Sequence, residues 1–346
     1  MSVRQLDTRT VTALVADATA APSMHNAQPW RFRYLSDAHT LELYADLSRA
    51  MHRTDPGDRA LHIGCGAALF NLRVAAAHAG LTCGVRLLPD PADPELLASV
   101  HLTPAAAAPD DTDDTDDTDD TDDLRALYPA IARRHTSRHP FEERDVPEDV
   151  RAALAAEAAR EGAELLFAGT WHTEAVLELV RDAESRDALD AAAAEDLARW
   201  TRRGPDAGTA VDGVPEYAFG PRPRDGRSAM RDFAGRRPVA GRGGAAFEQQ
   251  PHLALLSTHG DTPADWLLAG QALERVLLRA TDAGLATSLT SHPLERGDLR
   301  MLARDPVAGR GDVQMVLRLG HGPSGPATPR RSVTEVLEIT QRVREV

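Results

Sequence analysis

Two stretches of the chain share one spacing of apolar residues, and this spacing is typical of a helix with a single buried face. Residues 66–81 align without gaps on residues 270–285, and seven of the sixteen paired positions are identical. Apolar residues recur at intervals of three and four, as in Leu69, Leu72 and Ala76. The spacing predicts one helix in each stretch, and the shared Ala-Gly-Leu predicts where each helix ends.

Short apolar or alternating runs, typical of strands, flank both predicted helices in the same order. Two such runs precede each helix and two follow it. The predicted strands are Arg31–Leu35, Thr40–Ala45, Gly84–Leu88 and Ser99–Thr103 in the first half, and Glu164–Ala168, His252–Ser257, Ala286–Thr290 and Val313–Leu319 in the second. The repeated order predicts an α+β unit that is duplicated within one chain and packed like a dimer. The alternative is that two unrelated Ala- and Leu-rich helices match by composition.

The length of the chain and an acidic tract predict the domain boundaries. The 346 residues are about twice the length of an ordinary domain. We expect a first lobe at residues 1–109 and a second at 124–346. Residues 110–123 repeat Asp-Asp-Thr and predict a solvated linker, because such a tract repels itself and has nothing to bury. Residues 204–244 are rich in Gly, Pro and Arg, and they predict either a lid or a disordered loop. The aromatic residues of this segment favour the lid, because they could pack against the rest of the protein.

The charge balance excludes several classes of partner. Acidic residues exceed basic ones by 53 to 39, which gives a net charge of −14, and every one of the 39 is Arg rather than Lys. This excess disfavours binding to nucleic acid or to an anionic membrane. The chain has two cysteines and no uncharged apolar run near the roughly 18 residues of a membrane helix. These features predict a soluble cytoplasmic protein without a metal site.

Three short segments carry the candidate chemistry. Residues 21–30, Ala-Pro-Ser-Met-His-Asn-Ala-Gln-Pro-Trp, hold polar side chains between two prolines, as in a loop that binds a planar polar ring or as in a capped turn. Residues 133–139, Arg-Arg-His-Thr-Ser-Arg-His, suit a phosphate or carboxylate, although these arginines could instead offset the Asp tract. Residues 329–332, Pro-Arg-Arg-Ser, add an Arg pair that can reach an anion.

The sequence supplies no side-chain acid, base or nucleophile of a familiar kind. A P-loop, a zinc-protease motif and a serine-hydrolase elbow are all missing from it. We expect His25, His62 and His252 to be structural histidines, since a single histidine without a partner motif is more often structural than catalytic.

Taken together, the motifs resemble those of the nitroreductase-like flavin mononucleotide (FMN) proteins, and more narrowly their tandem, single-chain Acg-type subgroup of actinobacteria. The resemblance covers most of the chain apart from the Asp-Asp-Thr tract. It rests on residues 21–30, 134–138, 265–273 and 314–331 in the order that the family shows. It implies a nitroreductase-like fold duplicated in one chain as a pseudo-dimer, with mainly antiparallel sheets and a lid insertion in the second lobe.

The resemblance also implies a cofactor site across the interface of the two lobes. The implied FMN-binding residues are Pro22, Ser23, Met24 and Asn26 at the ring, Arg134, His135, Thr136, Arg138, Arg330 and Arg331 at the phosphate, ribityl chain and ring edge, and Ser291 near the flavin N5. Arg138 is the candidate cation that favours two-electron reduction. The symmetry-related site lacks both its Arg segment and its Pro-Ser-x-x-Asn loop. We therefore expect one FMN per chain, in a monomer or weak homodimer.

Two functions of different kinds follow from the resemblance. In the first, an oxidoreductase takes a hydride from NAD(P)H onto its flavin and reduces a small organic acceptor, with the flavin rather than a side chain carrying the chemistry. In the second, the protein sequesters FMN beneath the lid and has little or no NAD(P)H-dependent turnover. A third class, an interaction protein that has lost its flavin, is disfavoured by the one intact set of site residues.

Overall fold

The computed structural model describes residues 6–105, 116–224, 228–235, 237–305, 309 and 311–340. The α-helices in this part of the chain are α1 (Thr8–Ala18), α2 (Arg59–His78), α3 (Asp116–Arg133), α4 (Glu148–Arg160), α5 (Thr170–Asp187), α6 (Ala191–Arg199), α7 (Pro205–Thr209), α8 (Pro263–Asp282), α9 (Gly297–Leu302) and α10 (Val333–Val336). The strands are β1 (Trp30–Leu35), β2 (Thr40–Ala45), β3 (Leu81–Leu87), β4 (Leu96–Pro104), β5 (Glu164–Phe167), β6 (Thr201–Arg202), β7 (Val214–Pro215), β8 (Arg222–Pro223), β9 (Gly244–Ala245), β10 (His252–Thr258), β11 (Ala286–Thr290), β12 (Asp312–Gly320) and β13 (Leu337–Thr340). Short 3-10 helices cover Met24–Asn26, Ser36–Ala38, Leu47–Arg49, Glu216–Ala218 and His292–Glu295.

Two antiparallel sheets share one strand order. The first sheet runs β1-β2-β4-β3, and the second runs β5-β10-β12-β11. Every neighbouring pair in both runs is antiparallel. If the four strands of each run are numbered in chain order, both runs have the order first, second, fourth, third. The α+β class and the mainly antiparallel sheets agree with the prediction, and so does the repeated order of strands.

Helices α2 and α8 join the two sheets at a close crossing between two glycines. Gly66 of α2 and Gly270 of α8, which the sequence alignment pairs, lie against each other. A Cβ atom at Gly66 would lie 2.3 Å from the carbonyl oxygen of Leu267, and one at Gly270 would lie 2.1 Å from that of Ile63. Because a side chain at either position would overlap the backbone of the other helix, only glycine permits this approach.

Each sheet packs its own core against one of these helices, and the two helices exchange side chains. Helix α2 covers the first sheet, and α8 covers the second. Leu267 of α8 lies in the first core, whereas Ile63 of α2 lies in the second. We call the first sheet with α1 and α2 the first lobe, and the second sheet with α4 and α8 the second lobe. The exchange makes the two lobes one packed body.

The apolar character of α2 follows from its central position. This helix is long and apolar enough to span a membrane, with a mean hydropathy of 1.3 over its most apolar window. However, 83% of that window is buried inside the protein, against the first sheet, α8 and α3. Burial on several sides accounts for an apolar surface all around a helix.

The Asp-Asp-Thr tract differs from its prediction in the part that the structure describes. The sequence predicts a solvated linker over residues 110–123, but α3 begins at Asp116, inside the tract. Two physical causes favour the helix. Aspartate stabilises a helix N-terminus through the macrodipole, and the following turns bury Leu127 and Ile131 against α2 and α8. Residues 110–115 lie outside the described residues.

The C-terminal segment also differs from its prediction. The polar and apolar residues after Ser332 are compatible with a helix over residues 334–344, but α10 ends at Val336 and β13 follows at once. Strand β13 pairs in parallel with β1 and extends the first sheet, although the predicted boundary places it in the second lobe. The edge of β1 offers unpaired backbone groups, and β13 satisfies them. Residues 341–346 lie outside the described residues.

Candidate ligand-binding site

A cavity between the two lobes collects nearly all of the predicted site residues. The space between its lining residues, counted together with the open mouth, is about 1110 Å³. Ten of the eleven predicted residues line it, namely Pro22, Ser23, Met24, Asn26, Arg134, His135, Thr136, Arg138, Ser291 and Arg330. These residues come from four separate parts of the sequence, and tertiary packing alone brings them together.

Arg331 is the predicted residue that does not line the cavity. One of its Nη atoms lies 3.2 Å from a carboxylate oxygen of Asp46, and its backbone N–H donates to the side-chain oxygen of Gln28 at 2.8 Å. Arg331 therefore gains no support from the cavity lining as a contact of a bound phosphate. Its contacts instead fix the C-terminal segment to the first lobe.

The loop at residues 21–30 is held in an unusual backbone conformation. His25, Asn26 and Gln28 all have positive φ, at 50°, 56° and 54°. Side chains other than glycine rarely adopt this region, and asparagine tolerates it best of the three. The Ser23 hydroxyl accepts a hydrogen bond from the Gln28 N–H at 2.9 Å and closes the loop on itself.

The Asn26 side chain fastens this loop to two distant segments. Its amide nitrogen donates to the carbonyl oxygens of Gly213 and Pro329, each at 3.0 Å. Its amide oxygen accepts from Arg330 Nη1, also at 3.0 Å. Asn26 therefore ties the first lobe to the 204–244 segment and to the C-terminal segment, both of which line the cavity.

The segment at residues 134–138 lies along the edge of the second sheet. Thr136 forms a parallel bridge with Thr287 of β11, and the Ser137 N–H donates to the Thr287 carbonyl oxygen at 2.8 Å. The Ser137 hydroxyl points away from the cavity and donates to Pro323 at 2.7 Å. This pairing places the side chains of Thr136 and Arg138 on the cavity wall.

One end of the cavity holds two buried guanidinium groups and one carboxyl group. Arg134 Nε lies 3.3 Å from a carboxylate oxygen of Glu274, and both side chains are almost fully buried. Arg330 donates to the carbonyl oxygens of Thr19 and Ala20 at 2.8 and 2.9 Å. Burial and the neighbouring Arg134 lower the pKa of Arg330 to about 9. Two cations that share one carboxyl make this end suitable for a phosphate dianion.

Glu274 is neutral over part of the ordinary pH range. Burial raises the pKa of its carboxyl to about 7, and this effect outweighs the opposing influence of Arg134. At pH values below about 7, the Glu274 carboxyl is mostly neutral. Arg134 and Arg330 then have no ionised partner at this position. Glu274 belongs to none of the three candidate segments of the sequence. The only signal for it is its position in the α8 half of the internal repeat, four residues after Gly270.

Replacing Glu274 by glutamine should change how the stability of the ligand-free protein depends on pH. In the folded protein the pKa is raised from 4.5 to about 7, so the folded state holds a proton that the unfolded chain releases between these values. Ionisation of Glu274 therefore lowers the free energy of unfolding as the pH rises through this interval, and the loss is complete above it. We expect wild type to lose on the order of 1–3 kcal/mol relative to Glu274→Gln between pH 5 and pH 8, measured by urea unfolding.

The control for this measurement is Glu148→Gln, because Glu148 lies at the start of α4 with its side chain 82% exposed. Its pH profile should match that of wild type. Parallel profiles for wild type and Glu274→Gln would contradict the raised pKa of Glu274.

Arg138 contributes a third cation in the middle of the cavity. Its guanidinium carbon lies 4.8 Å above the ring centre of Phe233, and Nη1 donates to the Ala218 carbonyl oxygen at 3.0 Å. Its Nε has no hydrogen-bond partner among the described residues. Burial lowers the pKa of Arg138 to about 10, which leaves it charged at neutral pH.

Two histidines on the cavity wall are the main functional candidates that the sequence analysis missed. His62 and His252 fit the structural role expected of them, since they bond to the carbonyl oxygens of Asp58 and Arg144 at 2.6 and 3.2 Å. His25 differs from this expectation, because it is buried in the cavity wall and neither ring nitrogen has a partner in the described part of the chain. The same holds for His292, whose only signal in the sequence is that it follows Ser291.

Comparison with known proteins identifies the family. No protein-family model matches the chain. The chain is 32% identical over 346 residues to a Mycobacterium tuberculosis protein provisionally named NAD(P)H nitroreductase Acg, and the match covers 96% of each chain. It is 33% identical over 345 residues to a second protein of that organism, provisionally named NAD(P)H nitroreductase Rv3131, with 96% and 92% of the two chains covered. The chain belongs to the nitroreductase-like family and to its Acg-type subgroup.

A solved structure supports the nitroreductase-like fold over nearly the whole chain. It is that of a provisionally named nitroreductase from Anabaena variabilis, which covers 92% of this chain and 90% of its own. The TM-score is 0.50 and the sequence identity is 11%. The nitroreductase-like fold thus extends across both lobes and not over one lobe alone.

Proposed function

We propose that this nitroreductase-like protein binds one FMN in the cavity between its lobes and acts as an oxidoreductase that reduces a small organic acceptor with NAD(P)H. The convergence of ten expected site residues on one cavity carries this proposal. Three of the cations that line the cavity, Arg134, Arg138 and Arg330, support it further, because they face a space that a phosphate and an electron-poor ring would fill.

The residues present fit FMN. Arg134 and Arg330 would hold the phosphate, since their two charges exceed that of the single carboxyl of Glu274 beside them. Arg138, with a buried Nε that has no partner in the described part of the chain, would hold the ring edge and favour the reduced state. The residues Pro22, Ser23, Met24, Asn26, His135, Thr136 and Ser291 would contact the ring and the ribityl chain. When bound, FMN supplies hydride transfer through N5, and the protein controls access and charge.

We further propose that the two lobes are copies of one unit, fused into a pseudo-dimer. The shared strand order supports this, and so does the meeting of the aligned residues Gly66 and Gly270 at the helix crossing. The fusion would bury the surface through which two separate subunits would otherwise pair. We therefore expect a monomer or a weak homodimer. A cytoplasmic location, where NAD(P)H is present, agrees with the two free cysteines.

We assign the 204–244 segment as a lid over the ring. Val214, Met230 and Phe233 of this segment line the cavity. Gly220 lies so close to the segment at 134–138 that a Cβ there would be 2.0 Å from the Arg138 carbonyl oxygen. This tight contact favours a closed lid, which is the arrangement that FMN sequestration would need. Residues 225–227 and 236 of the predicted lid lie outside the described residues.

The purified protein should be yellow and hold about one FMN per chain. Oxidoreductase function predicts that NADH or NADPH bleaches the flavin absorbance and that a quinone or nitroaromatic restores it, in stopped-flow measurements. Dithionite serves as the control reductant, because it needs no binding site. Bleaching by dithionite but by neither nicotinamide would show sequestration under a closed lid. A colourless protein that takes up no FMN would overturn both functions.

A further inference from the structure

His25 and His292 are buried in the wall of the proposed flavin cavity and have no hydrogen-bond partners among the residues that the structure describes. They are 6% and 2% exposed, and none of their four ring nitrogens meets a donor or acceptor within the described ranges. Buried polar side-chain atoms in folded proteins nearly always have partners, so each exception requires an explanation. Both side chains line the same cavity, and a ligand in that cavity would explain both exceptions at once.

The backbone conformation at His25 is a second indication of a ligand site. Its φ of 50° lies in the left-handed region, which residues other than glycine adopt uncommonly. The side chain gains no hydrogen bond from this position within the described part of the chain, so its own contacts do not account for the strain. Strained residues concentrate at ligand sites, where the surrounding structure holds them in place. Here the Ser23–Gln28 and Asn26–Arg330 hydrogen bonds hold the loop.

We propose that His25 and His292 form the subsite for the ring that exchanges a hydride with the flavin. They would bind an uncharged oxygen on that ring: the nitro or carbonyl oxygen of an acceptor, or the carboxamide oxygen of a nicotinamide. The proposal rests on the proposed function and identifies the substrate side of that site. Neither histidine is assigned a proton-transfer step.

The two histidines are neutral, which favours an uncharged ligand group beside them. Burial and nearby cations, Arg231 and Arg138 for His25 and Arg231 for His292, lower the pKa of both imidazoles well below their usual value. The neutral rings each keep one N–H donor. Arg231 is already paired, since one Nη lies 2.7 and 2.5 Å from the two carboxylate oxygens of Glu295. At the two histidines themselves, the wall therefore offers a hydrogen bond from a neutral ring.

Phe233 contacts His25 and lines both this cavity and a second one. Its ring meets His25 edge-on, with centroids 5.3 Å apart and an interplanar angle of 84°. Phe233, His292 and Arg231 also line a second cavity that lies against α5 and α6. These three residues line both cavities, so the two cavities lie next to each other at His292 and Phe233.

The test uses the oxidised holoprotein and three unreactive probes: nitrobenzene, nicotinamide and benzoate. The variants are His25→Ala and His292→Ala, with His62→Ala as the control because His62 bonds to the backbone outside the cavity. Probe binding is followed by the change in the flavin spectrum, and FMN affinity is measured separately by fluorescence. Each cavity variant should keep FMN and weaken nitrobenzene, nicotinamide or both by about tenfold, the effect of one lost hydrogen bond. Binding of the anion benzoate should stay unchanged.

Conservative variants separate a binding role from a packing role. His25→Gln and His292→Gln keep an N–H donor and should restore most of the probe affinity. Loss with nitrobenzene alone assigns the subsite to the acceptor, and loss with nicotinamide alone assigns it to the reductant. Unchanged affinity for both probes, or loss of FMN itself, overturns the subsite. A wild-type protein that takes up no FMN overturns the proposed function, and the subsite falls with it.

Discussion

Arg134→Ala and Arg330→Ala should each weaken FMN binding by about 30- to 5000-fold. Removing one partner of a buried, hydrogen-bonded charge pair costs roughly 2–5 kcal/mol, and the phosphate would lose such a partner in either variant. Arg134 is 3% exposed, and the pKa of Arg330 is lowered by its burial, so water cannot replace the lost contact well. The measurement is a titration of the flavin-free variant with FMN, followed by flavin fluorescence.

Each of these arginines has a sequence neighbour that serves as a matched control. Arg133 is half exposed and pairs with Asp282 at 3.1 Å, and Arg331 pairs with Asp46. Neither lines the cavity. Arg133→Ala and Arg331→Ala should therefore bind FMN as wild type does, to within about threefold. Equal losses in all four variants would contradict the assignment of the phosphate end, and circular dichroism would show whether any loss reflects unfolding.

Gly270→Ala should reduce the free energy of unfolding by about 3 kcal/mol or more. The new methyl group would lie 2.1 Å from the Ile63 carbonyl oxygen and 2.8 Å from the Gly66 Cα. Overpacking of a core usually costs about 1–3 kcal/mol, and here the obstruction is backbone that cannot rotate away. Relief requires α2 and α8 to separate, which loosens the contact between the lobes. Urea unfolding monitored by tryptophan fluorescence measures the loss.

Gly57→Ala is the control for a glycine without steric demands. A Cβ there meets nothing within 4 Å, and the backbone has no positive φ. This substitution should be neutral or stabilise the protein by up to about 1 kcal/mol, because alanine restricts the unfolded chain. Gly66→Ala should resemble Gly270→Ala, since the two glycines meet at one crossing. A Gly270→Ala protein as stable as the Gly57→Ala protein would rule out the close helix crossing.

The sequence alone determined the elements whose cause is local. The predicted strand Ala286–Thr290 has the same bounds in the structure, and the predicted helix ends at Gly80 and Gly284 both have φ near 75°. Alternation, helical spacing and the need for glycine in the left-handed region act over a few residues, so they can be read directly from the chain. The resemblance added the set of cavity residues, because the family motifs occur as short contiguous segments.

Tertiary structure decided the features that depend on partners far along the chain. Residues 337–340 form a strand because the edge of β1 is available, some 300 positions earlier. Arg331 leaves the cavity because Asp46 lies beside it, whereas its neighbour Arg330 reaches Asn26. His25 and His62 look alike in the sequence, but only His62 finds a carbonyl oxygen in its own helical turn. Burial and hydrogen-bond partners are set by long-range packing, and local sequence patterns do not encode which of two similar side chains will remain unpaired.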